Sequence, residues 1–387
     1  MSGRLSFAGV FAVTFLGLVA VGSILPVLPR YIHGPLHSGD LAVGVVIGSY
    51  AVTGLLLRPI AGRLADTRGR KPTLLVGAAL VALSGLLYLP HLGLAGLIAA
   101  RLVLGAGEGA VYTAGSAWIV DMAPPQRRGR VLGIYGLAVW GGLSIGPLLG
   151  ELILSLSGYE EVWLFAAALP LLGMAIAARV PDPFEPLPEA EPHPLIAPEA
   201  VRPGLAVALA SAGYATLAAF IVLLLDARGV GHGATVFGAF AAMIVIARLL
   251  AGHLPDRYGA APVAVGAALV EAGGLLLIAL TQGLPGALAG GMAMGAGFSL
   301  LNPSLMLIVV SRVPQAGRGA AMGTYTAFFD AGVGLGAPLA GLAAALTGYE
   351  GAFVLAAAIA ASSALLILFT LHRHPDPQEG VVELPVA

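Results

Sequence analysis

The sequence predicts an all-α membrane protein with twelve transmembrane helices in two pseudo-symmetric six-helix halves and both termini cytoplasmic. Composition, the lengths of its apolar runs and an internal repeat predict this. Of 387 residues, 58% are hydrophobic and 10% charged, and the mean hydropathy is +0.94. A water-soluble domain carries about a quarter of its residues as charges. This chain has too few to coat a soluble particle, so lipid must be its solvent. Its 55 glycines suit membrane helices, whose interfaces favour small residues.

A helix needs about 20 apolar residues to cross the hydrocarbon. Runs of that kind fall at 7–28, 41–61, 73–90, 93–119, 131–153, 161–179, 204–225, 234–252, 262–281, 284–310, 320–343 and 351–371. The first follows Arg4 like a signal peptide, but no small-residue cleavage site follows, so it reads as a span. Orientation follows from the basic residues. With the N-terminus inside, fourteen of the nineteen, from Arg4 to Arg373, lie in cytoplasmic segments. Only Arg30 and Arg228 fall outside, while Arg58, Arg101 and Arg248 lie within spans. The Pro- and Glu-rich stretch 180–203 cannot span and reads as a cytoplasmic linker. The chain thus divides into a first half (1–179), a linker (180–203), a second half (204–371) and a cytoplasmic tail (372–387).

The halves align at an offset of 190. Arg58, Gly62, Asp66 and Gly69 match Arg248, Gly252, Asp256 and Gly259; Gly105 and Gly107 match Gly295 and Gly297; Tyr135 matches Tyr325; Gly142 and Gly146 match Gly332 and Gly336; Gly158 matches Gly348. Duplication of this kind marks secondary transporters, which bind cargo near the bilayer midplane between repeats.

Three motifs carry a family resemblance. The loop from Gly62 to Lys71, GRLADTRGRK, resembles the signature loop G-x-L-a-D-r-x-G-r-[KR] of the major facilitator superfamily. The fourth span carries Arg101, Gly105 and Gly107, similar to the family's R-x-x-x-G-x-G. The fifth carries Gly142, Gly146, Pro147 and Gly150, which looks like the G-x-x-x-G-P-x-x-G associated there with antiporters, especially drug and metabolite exporters. The resemblance implies the major facilitator fold and a conformational latch made by Gly62, Asp66, Gly69 and Arg70, with a weaker copy at Asp256. It also implies that the chain is not an enzyme and works as a monomer. The run Gly105-Ala-Gly107-Glu-Gly109 is no dinucleotide loop, since no strand precedes it.

Ionisable groups inside spans are functional candidates. Asp330 and Glu108 are the candidates for carrying a proton; Asp330 has Trp140 as its repeat mate, so its charge belongs to one half only. Glu271, mid-span, reads as a packing group or a partner of Arg248. Candidates for a cavity around cargo are Arg101, Tyr50, Tyr112, Tyr135, Trp140, Tyr214, Asn302, Tyr325, Phe329 and Arg30. With no cysteine, thiol chemistry is excluded. His33 and His37 lack a third ligand, so no metal is expected, nor any cofactor. A net charge of −1 points to no nucleic-acid partner. The expected partners are a small solute, protons and the bilayer of the cell (plasma or inner) membrane. The expected activity is proton-coupled efflux by alternating access. Uptake of sugars or organic acids, by symport or facilitation, and lipid flipping by the same fold stay open as alternatives.

Overall fold

A computed structural model describes residues 2–123, 128–181, 197–313 and 318–370. Among them all regular structure is helical: α1 (Ser2–Ile24), α2 (Val27–His33), α3 (Asp40–Arg68), α4 (Arg70–Leu86), α5 (Gly93–Met122), α6 (Arg128–Leu156), α7 (Tyr159–Ala178), α8 (Pro198–Ala227), α9 (Gly233–Ala251), α10 (Leu254–Tyr258), α11 (Ala260–Leu280), α12 (Leu284–Ser311) and α13 (Arg318–Thr370). Glycine sets several breaks. Gly69 (φ 112°) separates α3 from α4 and Gly158 (φ 130°) separates α6 from α7, in backbone that side chains rarely adopt. Their repeat mates do the same work. Gly259 (φ 86°) precedes α11, and Gly348 (φ 79°) divides α13 into two arms.

Among the described residues, ten helical segments are long and apolar enough to cross a membrane. The third expected span falls on α4, only 17 residues long, and the eleventh and twelfth together form α13. A further difference lies at the linker. Residues 198–203 are helical, because Pro198 opens α8 where its missing N–H costs nothing. Residues 182–196 and the expected tail lie outside the described residues.

Helices α1, α3, α4, α5, α6 and α7 pack against one another, as do α8, α9, α11, α12 and α13. Contacts between these groups run mainly through α3 against α13 and α6 against α9. In the most apolar stretches of α8 and of the α1–α2 segment, 89% and 78% of residues are buried, against 33–56% in the other spans, so these two stand innermost. The outer surface bears large apolar side chains such as Leu56, Leu156, Leu249 and Leu346, as a lipid-facing surface requires.

The repeat has a packing counterpart. A Cβ on Gly105 would strike the Tyr50 carbonyl, and one on Gly295 the Phe240 carbonyl, at the same offset of 190. Gly107 faces the backbone of Gly77 and Val81, and Gly297 that of Ala267 and Glu271, at the same offset again. Each half uses the same two glycines to seat one helix on two neighbours.

Candidate functional site

The centre of the bundle holds four charges. On α3, Arg58 donates through Nε (2.8 Å) and Nη2 (3.0 Å) to both oxygens of Asp330 on α13, which is 1% exposed. This bidentate bond crosses from the first group of helices to the second. Gly109 on α5 gives the Arg58 stem room to lie flat, and the guanidinium stands 5.5 Å from the Tyr112 ring centre. Removing one partner of such a buried pair costs about 3–5 kcal/mol, because the other charge is stranded.

Two turns apart on α5 stand the other two charges. Arg101, 2% exposed, donates Nη2 to the Ile47 carbonyl (2.8 Å), and its guanidinium lies 4.8 Å from the Tyr50 ring centre. Its Nε and Nη1 have no hydrogen-bond partner among the described residues. Glu108 makes no ion pair or hydrogen bond among the described residues, although Arg58, Asp330 and Arg101 are within electrostatic reach. The same narrow cavity is walled by Tyr50, Arg101, Glu108 and Tyr214, with aliphatic side chains from α1, α3, α6, α8 and α13 completing it. Both groups of helices therefore contribute to its wall.

An aromatic cluster flanks the cavity. Trp140 meets Tyr214 and Phe298 edge-on at 6.3 and 5.6 Å, and Phe329 lies 6.4 Å from Tyr214. Other expected cavity residues stand elsewhere. Tyr135 is 2% exposed, and its hydroxyl is bonded to that of Thr14 (3.0 Å) in the core of the first group. Tyr325, 1% exposed, donates to the Asn302 carbonyl and Oδ1 (3.1 and 3.2 Å), so these two hold each other. Tyr112 is 42% exposed and lies under Arg58, outside the cavity wall. Arg30 sits at the end of the bundle far from the N-terminus, bonded to Glu151 on α6 (2.6 Å) and Asp226 on α8 (2.6 and 2.9 Å). Glu271 does not meet Arg248: it is 0% exposed, and neither of its oxygens has a hydrogen-bond partner. Arg58 is absent from the expected cavity and proton-carrying residues; the structure places it beside Asp330 in the site. The signal available was the pairing of an in-span arginine with an unmatched in-span aspartate.

In the signature loop, Arg70 bonds Asp66 one turn before it and Asp121 at the end of α5 (3.0 Å), both in the first group of helices. Gly69 supplies the turn, and Gly62 lies beside Thr113. Asp256, on the short α10, is exposed and in no ion pair among the described residues. In the fifth-span motif, Cβ atoms on Gly142, Gly146 and Gly150 would lie 2.8, 2.5 and 2.0 Å from the carbonyls of Phe15, Val19 and Ser23 on α1. Pro147 packs against Gly22 in the same seam. This stripe brings α1 and α6 into backbone contact.

The described residues, a helical bundle with ten apolar spans and a charged cavity between two helix groups, have the build of a membrane transporter. The chain belongs to the Major Facilitator Superfamily, whose signature it matches over residues 10–234 and 203–386. It is 36% identical over 378 residues to an uncharacterized MFS-type transporter of Salmonella typhimurium, covering 94% of this chain and 96% of that one. It is 35% identical to another from Pseudomonas aeruginosa, covering 95% and 94%. Among solved structures, the nucleoside transporter NupG superposes with a TM-score of 0.81 at 15% identity, covering 94% of this chain and 99% of that one. The human organic anion transporter MFSD10 gives 0.72 at 20%, covering 95% and 100%. At such identities the likeness is one of fold. The chain is a multi-pass membrane transporter and not an enzyme.

Proposed function

We propose that this transporter exports a small solute in exchange for protons, with Asp330 as the proton-carrying group. The carrying observation is the Arg58–Asp330 bond, which ties α3 to α13 inside the membrane. Protonating Asp330 removes its charge and frees Arg58. The tie between the two helix groups loosens, and the freed guanidinium can turn to Glu108, the other carboxylate within its reach. A proton entering is thereby converted into both a structural release and competition at the cavity. Glu108 is the second candidate for the proton.

Resemblance of the fifth-span motif to that of antiporters supports export over uptake. The same reading takes the fold as twelve spans with cytoplasmic termini, in halves 1–179 and 204–371, acting as a monomer in the cell membrane. Asp66 and Arg70 form the latch of the outward-facing state.

The test is purified protein in liposomes holding a pH dye under an imposed proton gradient. Lipophilic cations, sugars, amino acids and organic acids are added in turn. One class should trigger proton flux, and Asp330→Asn should lower that flux at least about tenfold with helical content unchanged, since a loss of about 1.4 kcal/mol is already tenfold. Full flux in Asp330→Asn would remove this residue from the mechanism.

A further inference from the structure

The cavity wall holds two opposite charges that form no ion pair among the described residues. Arg58 is answered by Asp330 through two bonds. That leaves Glu108 as the carboxylate without a partner and Arg101 as the cation without a counter-ion, both on the wall of one cavity. They are seven residues apart on α5, which puts them on nearly the same face and about 10 Å apart along the axis.

Their surroundings differ. Around Arg101, its own Nε and Nη1 have no hydrogen-bond partner in good geometry among the described residues, while the Tyr88 hydroxyl, behind the cavity wall, interacts with Ser84 and with Arg101 itself. Ser84, Tyr88 and Arg101 are each at most 2% exposed. Buried donors left unmade cost about 1–3 kcal/mol each, and a carboxylate, which only accepts, can take both free guanidinium positions together. Around Glu108 no described residue donates to the carboxylate, so the complement there is a cation. The rest of the wall is aliphatic apart from Tyr50, whose ring lies against Arg101, and Tyr214.

We propose that the cargo is an amphipathic zwitterion, with an anionic group at Arg101, a cationic group at Glu108 and an apolar body between them. This rests on the transport reading above and names the chemical class it left open. A single α-amino acid is too short to reach both ends, so the charges must be separated by a chain of several bonds. Arg58, once released by protonation of Asp330, competes with the cargo's cation for Glu108, which makes proton and cargo binding mutually exclusive, as exchange requires.

The experiment measures binding to the detergent-purified protein by calorimetry, without any proton gradient. The probes are glycine, 4-aminobutanoate, 6-aminohexanoate and 8-aminooctanoate, with hexanoate and 6-aminohexanamide as forms that keep one charge each. We expect the tightest binding from 6-aminohexanoate or 8-aminooctanoate, and at least about tenfold weaker binding from each single-charge form, since a hydrogen bond to a charged group contributes about 1.5–3 kcal/mol. Glu108→Gln should erase the preference over hexanoate alone, and Arg101→Gln the preference over 6-aminohexanamide alone. Arg101→Lys, which keeps the charge, should retain that preference. If Arg101→Gln does not fold, the probe series and Glu108→Gln still decide.

No binding by any probe, equal binding by all, or preferences unchanged in both variants would overturn the inference. Proton flux in liposomes, read separately, tests the coupling. Binding without flux upholds the cargo class and removes the coupling. Flux triggered only by cargo lacking one of the two charges upholds the coupling and overturns the cargo class.

Discussion

Three arginines lie within spans, and each meets the cost of burial differently. Arg58 takes a carboxylate across the helix groups. Arg101 takes a carbonyl and an aromatic face. Arg248, the repeat mate of Arg58, packs beside Gly136, and its Nε has no hydrogen-bond partner among the described residues. The asymmetry has a simple origin: by the offset of 190, the position answering Asp330 in the first half is Trp140, which cannot accept from an arginine. One of two equivalent seams therefore carries a charge tie and the other an aromatic. The tyrosines also divide at this scale. Tyr135 spends its hydroxyl on Thr14, so Tyr135→Phe should lower the thermal stability by about 1 kcal/mol, the net worth of one hydrogen bond, and leave cargo affinity unchanged. Altered affinity in that variant would put Tyr135 back among the cavity residues.

At the scale of elements, the glycine stripe of α6 sets how closely α1 can approach. Gly142, Gly146 and Gly150 recur every four residues and face Phe15, Val19 and Ser23, also four apart, so the two helices share one seam. Gly150→Ala would push a methyl to 2.0 Å from the Ser23 carbonyl, backbone that cannot rotate aside. Such overpacking should cost about 1–3 kcal/mol, seen as a lowered melting temperature in detergent. Gly133→Ala, which meets nothing within 4 Å, is the control and should not lower it. Equal melting temperatures for the two variants would mean that the seam is looser than described. The motif was legible in the sequence because small residues at a spacing of four are a helix-contact pattern whatever the solvent. The face each aromatic residue presents was not. A membrane helix is apolar both toward lipid and toward its neighbours, so no polar stripe marks its inner side. Tyr50 and Tyr325 look alike in the sequence, yet one lines the cavity and the other is locked to Asn302.

For the whole molecule, the two helix groups are joined at the end far from the N-terminus by Arg30, which bridges Glu151 on α6 and Asp226 on α8. Along α3, Gly44 and Gly48 press against the backbone of Ala337 and Gly334 on α13, extending that closure. Removing the Arg30 charge leaves two carboxylates facing each other, and repulsion should open this end. The chain contains no cysteine, so paired labels can be introduced without background. Spin labels at Ser157→Cys, on the exposed turn after α6, and Ala227→Cys, at the exposed end of α8, should show longer distances in Arg30→Ala than in the parent. Distance distributions that superpose would mean that apolar packing alone holds this end shut.

Length, composition and the placement of charge determined that this chain is a helical membrane protein, since those properties answer only to the solvent. The repeat and the loop motifs were likewise legible, because glycines that permit a turn or a close approach must stand at fixed positions along the chain. Partnerships across the bundle were decided by tertiary structure alone. That Asp330 meets Arg58 rather than Arg248, that Glu108 and Arg101 share a cavity without meeting, and that Tyr135 faces a core depend on how each helix is rotated about its axis and on which helix is its neighbour. In a chain apolar on every face, rotation leaves almost no trace in the sequence.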